Sequence, residues 1–139
     1  MAKARIAEKT VYFKSNVNAV WNAVTNNEDC KWRSDIKKIE VIEDGSQWLE
    51  YYDNKNYTKF TLSEKTEHIK YNFNMENKMF YGNWTGYFYP TEIGGTKLVI
   101  RESIFIKNPI VRIISYLFWN LNKIQDTYIR DLKNKLQED

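Results

Sequence analysis

The stretch NPIVRIISYLFWNLNKIQDTYIRDLKNKLQED, Asn108–Asp139, decides the fold. Asn108 can cap a first turn, and Pro109, which has no N–H to leave unpaired, suits the first helical position. No Gly or Pro follows. Ile110, Ile114, Leu117, Leu121, Ile124, Tyr128, Leu132 and Leu136 recur at spacings of three and four. The pattern predicts one C-terminal helix of about 28 residues, a rod on the order of 40 Å long. Its apolar stripe needs a sheet to cover it. The first half of the rod is apolar almost all round: between Ile110 and Leu121 only Arg112, Ser115 and Asn120 are polar, and Ile113, Tyr116 and Trp119 lie off the stripe. Those three are expected to meet a lid or a ligand, or to make a transient membrane or protein contact. Twelve residues from Ile110 to Leu121 are too few to span a bilayer, which takes about 20.

Upstream, the period changes to two. Arg5 to Lys14 reads as a strand with Ala7, Val11 and Phe13 on one face. Ser15-Asn16 offers a cap for a short helix through Val17, Val20, Trp21 and Val24, and Glu28 to Arg33 reads as a second helical segment. Six strands follow: Ile36 to Glu43, Gln47 to Asp53, Tyr57 to Thr66, His68 to Met75, Phe80 to Tyr89 and Thr96 to Lys107. Turn signals separate them at Asp44-Gly45, Asn54-Lys55-Asn56 and Pro90 with Gly94-Gly95. Strands joined by turns this short form an antiparallel meander. The expected fold class is therefore α+β: about seven strands in a curved antiparallel sheet, two short helices after the first strand, and a long helix at the end.

Composition narrows the function classes. At 139 residues, a single domain over 1–139 is expected. The hydrophobic fraction of 42% and charged fraction of 28% are those of a globular domain, while 10 Tyr, 7 Phe and 5 Trp are enough rings to wall an apolar pocket. The net charge of +3 comes from scattered basic residues, so no nucleic-acid footprint is expected. One cysteine, Cys30, precludes an internal disulfide and is read as a small, at least half-buried residue. The start, MAKARIAEKT, has no apolar leader, so a cytoplasmic location is expected. With one His, and no Cys or carboxylate cluster at ligand spacing, no metal is expected. No Walker or dinucleotide glycine motif is present, and no cofactor is expected.

Several strings, taken in order, resemble the START-like or SRPBCC helix-grip superfamily, and in particular its polyketide cyclase/dehydratase and lipid-transport-like branch. Residues 13–21, FKSNVNAVW, resemble the strand-to-helix passage, although the Pro common at that helix start is missing. KWRSDI at 31–36 followed by Trp48, GNWTG at 82–86, Gly95-Thr96, Glu102 and DTYIRDLK at 126–133 continue the resemblance over nearly the whole chain. It implies a curved sheet gripping the last helix, a cavity between them, and a position for Trp32, Arg33 and Asp35 near the cavity mouth.

Glu102 is the most informative single residue. It falls in phase with Leu98, Ile100, Ile104 and Ile106, on a face that should point inward. A buried carboxylate needs a partner, water or a proton. One reading is a structural pairing with an Arg or Tyr; spacing does not fix the partner, and Arg33 and Tyr71 are the first candidates. The other readings are a ligand anchor or general acid/base, or a bulge that turns Glu102 outward. His68 shares a strand face with Lys70, Asn72 and Asn74 and is expected on a solvated surface. The expected ligand-binding residues are Trp32, Phe60, Tyr71, Phe73, Trp84, Phe88 and Glu102, opposed by Ile114, Phe118 and Leu121 from the helix; Glu102 alone is a catalytic candidate. The favoured function is a binding or carrier module for a hydrophobic small molecule, lipid-like or aromatic. The alternatives are a polyketide cyclase/dehydratase-type enzyme using Glu102, and an adaptor acting through Ile113, Tyr116 and Trp119. The oligomeric state is left open.

Overall fold

The computed structural model describes residues 4–112 and 120–138. Strand β1 (Arg5–Phe13) leads into helix α1 (Val17–Thr25), which Asn16 caps by accepting a hydrogen bond from the Ala19 N–H at 2.9 Å. Then come β2 (Lys38–Ile42), a 3₁₀ turn (Glu43–Gly45), β3 (Gln47–Tyr51), β4 (Tyr57–Thr66), β5 (Lys70–Glu76), β6 (Phe80–Pro90), β7 (Thr96–Ile106) and helix α2 (Leu121–Lys135). The seven strands form one antiparallel sheet in the order β1-β7-β6-β5-β4-β3-β2. Strands β2 to β7 follow one another as the turn signals predict. Strand β1 instead pairs with the last strand, so the α1 segment crosses the sheet from one edge to the other.

Alternation decides which side chains face inward. Trp48, Phe60, Tyr71, Phe73, Met75, Trp84, Phe88, Leu98, Ile100, Ile104 and Ile106 are all buried. Register joins their rings into a continuous floor: Trp48 lies opposite Phe60, and Phe73 opposite Trp84. Both pairs stack, with centroids 5.5 and 5.0 Å apart and ring planes within 6° and 8° of parallel. A register shift between Leu62 and Glu64 interrupts the β4–β5 ladder, the kind of irregularity that bends a strand. Gly86 has a packing reason: a Cβ there would lie 2.9 Å from the Trp84 indole, which rests over it. At Gly82 a Cβ would lie 2.3 Å from the Ser103 carbonyl.

Helix α2 lies on the inner face and is tied down along its length. Asp131 accepts from the N–H and hydroxyl of Ser34 at 2.8 and 2.7 Å. Glu138, just past the helix end, accepts from the Lys14 and Ser15 N–H groups and the Ser15 hydroxyl at 2.5 to 2.9 Å. Leu132 is fully buried in the core. At the α1 end the core is filled: Trp21 meets the Phe88 ring edge-on at 4.9 Å and Tyr71 at 6.0 Å.

Four local expectations change. The C-terminal helix is not one rod from Asn108, because Asn120 has an extended backbone (φ −108°, ψ 100°) and caps α2 through the Lys123 N–H at 3.2 Å. Residues 109–112 are helical and Ile110 is 71% exposed, so the apolar period ran on through a cap. The expected second short helix at Glu28–Arg33 is reduced to tight turns, including Asp29 N–H to Asn26 C=O and Arg33 N–H to Cys30 C=O. His68 lies in the β4–β5 turn at φ +62°, not on a strand, with its ring edge-on to Trp21 at 6.1 Å. The strand expected from His68 begins at Lys70, and Ile69, in the same turn as His68, is exposed. Among the described residues, no helix is long and apolar enough to cross a membrane.

Candidate functional site

Between the aromatic floor and α2 lies a cavity of about 350 Å³. The floor supplies Trp48, Phe60, Phe73 and Trp84, strand β7 supplies Ile100, Glu102 and Ile104, and α2 supplies Leu121, Ile124, Gln125 and Tyr128. Helix α2 can face the cavity with four residues because positions 121, 124, 125 and 128 fall on one side at helical spacing. Its volume is at the small end of small-molecule sites, roughly 300–1,000 Å³.

The mouth is polar and internally satisfied. Arg33 donates from Nε and Nη2 to the two Asp35 carboxylate oxygens at 2.9 and 2.8 Å, and from Nη2 to Glu50 Oε1 at 3.2 Å. Glu50, only 7% exposed, takes its second hydrogen bond from the Trp48 indole N–H at 3.2 Å. The guanidinium also sits 5.2 Å from the Tyr128 ring centre. Burial works against the Arg33 charge, but Glu50 and Asp35 outweigh it and hold the group protonated above its ordinary range. Burial likewise pushes Asp35 up, yet the bonds from Arg33 bring it below the usual carboxylate range. Nearby, the Tyr52 hydroxyl bonds to Thr58, to which Asn77 also donates at 2.9 Å.

Glu102 is placed differently. It lines the cavity from between Ile100 and Ile104, opposite Ala7 on β1 and Trp84 on β6. Loss of hydration pushes its carboxyl up to about 7; Gln125 hydrogen-bonds to it and draws it down, and the nearby Glu50 charge pushes it up. Burial also raises the phenols that face the same space: Tyr71 and Tyr52 to about 12, and Tyr128 beyond that. They remain hydrogen-bond donors at any ordinary pH.

Of the residues named from the sequence, Phe60, Tyr71, Phe73, Trp84, Glu102 and Leu121 line the cavity. Trp32 does not: it packs edge-on against Tyr128 at 5.6 Å and donates its indole N–H to the Asp29 carbonyl. Phe88 does not either, since it belongs to the filled end of the core against Trp21. Ile114 and Phe118 lie outside the described residues, as do Ile113, Tyr116 and Trp119. The expected pairing of Glu102 with Arg33 or Tyr71 is replaced by Gln125, because Arg33 is already committed to two other carboxylates. Sequence reasoning missed Glu50, Gln125 and Tyr128. Period-two alternation with Trp48 was a usable signal for Glu50, and spacing of four and seven from Leu121 was one for Gln125 and Tyr128.

The architecture is the START-like helix-grip fold, and solved structures match it over most of the chain. A START superfamily protein from Mycobacterium smegmatis superimposes with a TM-score of 0.73 at 15% identity, covering 95% of this chain and 97% of its own. Norcoclaurine synthase from Thalictrum flavum, in complex with dopamine and hydroxybenzaldehyde, gives 0.71 at 11% identity, covering 96% of this chain and 87% of its own. An aromatase/cyclase from Streptomyces sp. R1128 gives 0.62 at 13% identity, covering 76% and 70% respectively. At these identities the likeness is one of fold. No family model and no curated protein matches the sequence.

Proposed function

We propose that this chain is a cytoplasmic binding or carrier module for a small hydrophobic molecule, aromatic or lipid-like, held between the sheet and α2. The observation that carries this reading is the ring-walled cavity of about 350 Å³ in what would otherwise be the centre of the core. At roughly 24 cal/mol per Å³, leaving such a volume dry would cost about 8 kcal/mol, comparable with the whole stability of a domain. Water held by the polar walls, or a guest, filling the space offsets that cost. Covering about 300 Å² of a guest's apolar surface contributes a similar amount before association costs. The neighbours named above, a synthase solved with two small aromatic molecules and an aromatase/cyclase, are consistent with a fold that encloses such compounds. Native mass spectrometry of gently purified protein, with titration of naphthalene followed by tryptophan fluorescence, tests the reading. Saturable binding that Ile104→Phe abolishes without unfolding is expected; no binding by the folded wild type would overturn it.

One observation favours a second reading. A cavity-facing carboxyl that titrates at about 7, beside protonated phenols, suits proton transfer to and from a bound substrate. In that case the chain is a cyclase/dehydratase-type enzyme with Glu102 as acid/base. Turnover of a polyketide-like substrate that Glu102→Gln removes, with binding retained, separates it from a carrier.

A further inference from the structure

Two groups of polar side chains around the cavity differ in how far their hydrogen bonds are satisfied. In the first, the charges are mutually spent. Both Asp35 oxygens and one Glu50 oxygen are bonded to Arg33, and the other Glu50 oxygen is bonded to Trp48. The second group, Gln125 and Glu102, is incomplete. Gln125 is 2% exposed, and its amide nitrogen donates to the Ala7 carbonyl at 3.2 Å. That bond fixes which way the amide faces. Its oxygen, Gln125 Oε1, is then buried with no hydrogen-bond donor among the described residues. A buried acceptor left without a donor costs roughly 1–3 kcal/mol, and such a group calls for an explanation. Both Gln125 and the neighbouring Glu102 line the cavity.

The charge balance points the same way. Among the described residues, the charged ones lining the cavity are Arg33, Asp35, Glu50 and Glu102, one cation against three carboxyls. Residues 113–119, IISYLFW, contain no charged side chain and leave this balance unchanged. An anionic guest would therefore enter a desolvated space with an excess of like charge, and the one guanidinium there is already held by two carboxylates.

Resting on the reading of the cavity as a ligand site, we propose that its guest is an apolar molecule ending in a hydrogen-bond donor, a hydroxyl or an amine, seated against Gln125 Oε1 and Glu102, and that molecules ending in a carboxylate are excluded. The body of the guest lies on the Phe73–Trp84 floor, and its polar end supplies the donor that Gln125 lacks. The proposal divides the hydrophobic compounds open to this fold: phenols, alcohols and aromatic amines fit, while free fatty acids and aromatic acids do not.

Matched probes test it on the intact chain. Naphthalene, 2-naphthol, 2-naphthylmethylamine and 2-naphthoate share one ring body and differ in the polar end. Calorimetric titration near neutral pH is expected to show the naphthol or the amine binding about tenfold more tightly than naphthalene, the size of one hydrogen bond to an otherwise unpaired acceptor. The naphthoate is expected to bind at least about tenfold more weakly than naphthalene. Gln125→Leu should erase the donor advantage, and Glu102→Gln should reduce the penalty on the acid. If naphthalene binds and the naphthoate binds as well or better, the donor-end proposal is wrong while the binding module stands. If naphthalene binds and neither donor probe gains over it, the proposal is equally wrong. If none of the four binds to folded protein, the ligand-site reading fails and takes the proposal with it. The wild-type comparison decides the matter even if the Gln125 variant does not fold.

Discussion

Glu102 offers the sharpest physical test, because its burial should be written into the pH dependence of folding. In the unfolded chain this carboxyl ionises near its ordinary 4.5, whereas in the fold it ionises at about 7. Between these values the unfolded chain gives up its proton first and the native protein retains it. Stability therefore falls as pH rises through this window and levels off above about 7. At about 1.4 kcal/mol per tenfold, the full effect is roughly 3 kcal/mol. Water reaching the carboxyl through the cavity makes this an upper figure. Glu102→Gln keeps the shape and cannot titrate. Every other titrating group is shared, so the stability difference between variant and wild type isolates Glu102. Urea unfolding followed by tryptophan fluorescence, from about pH 4 to about pH 8, measures it. The difference should grow in favour of the variant by about 2–3 kcal/mol, with nearly all of the change between 4.5 and 7. A difference that stays constant over that window would refute the reasoning, since it would mean that Glu102 is as well hydrated in the fold as out of it.

Three further outcomes are expected. Arg33→Met strips the buried Glu50 of its cation and should destabilise the fold by about 3 kcal/mol or more in chemical unfolding; adding Glu50→Gln should recover part of the loss. Asn120→Ala removes the acceptor for the Lys123 N–H and should cost about 1 kcal/mol by the same measurement, whereas an uninterrupted helix through that position would gain from the change. Gly82→Ala forces a methyl against the Ser103 carbonyl and should lower stability by about 1–3 kcal/mol, a loss visible as a reduced thermal midpoint.

Much of the architecture was legible because it rests on local periods. Phe60, Tyr71, Phe73 and Trp84 alternate with polar neighbours, and a strand can place such residues only on one face. Glu102 stood out for the same reason, as a carboxyl in an otherwise apolar register. The C-terminal helix was readable from Leu121, Tyr128 and Leu132, but its start was not. Asn120 sits within an unbroken apolar period, and a cap residue there differs from an ordinary polar-face residue only in its backbone angles. Trp32 and Phe88 show the opposite limit. Both are large rings of the inner layer, and only the packing of neighbours separates a ring that fills the core from one that borders a space.

The order of the strands, their apolar faces and the in-phase position of the Glu102 carboxyl were thus legible in residue spacing, because a 2.0 or 3.6 period is a property of the chain alone. The partners of that carboxyl belong to the folded molecule. Gln125 meets Ala7 across 118 residues, and Ala7 faces Glu102 only because the first strand pairs with the last. Arg33 is withheld from Glu102 by Asp35 and Glu50, which arrive from the crossover and from β3. The cavity is likewise a tertiary outcome: its existence depends on how far α2 stands from the sheet, a distance set by side chains meeting across the core and recorded in no single segment.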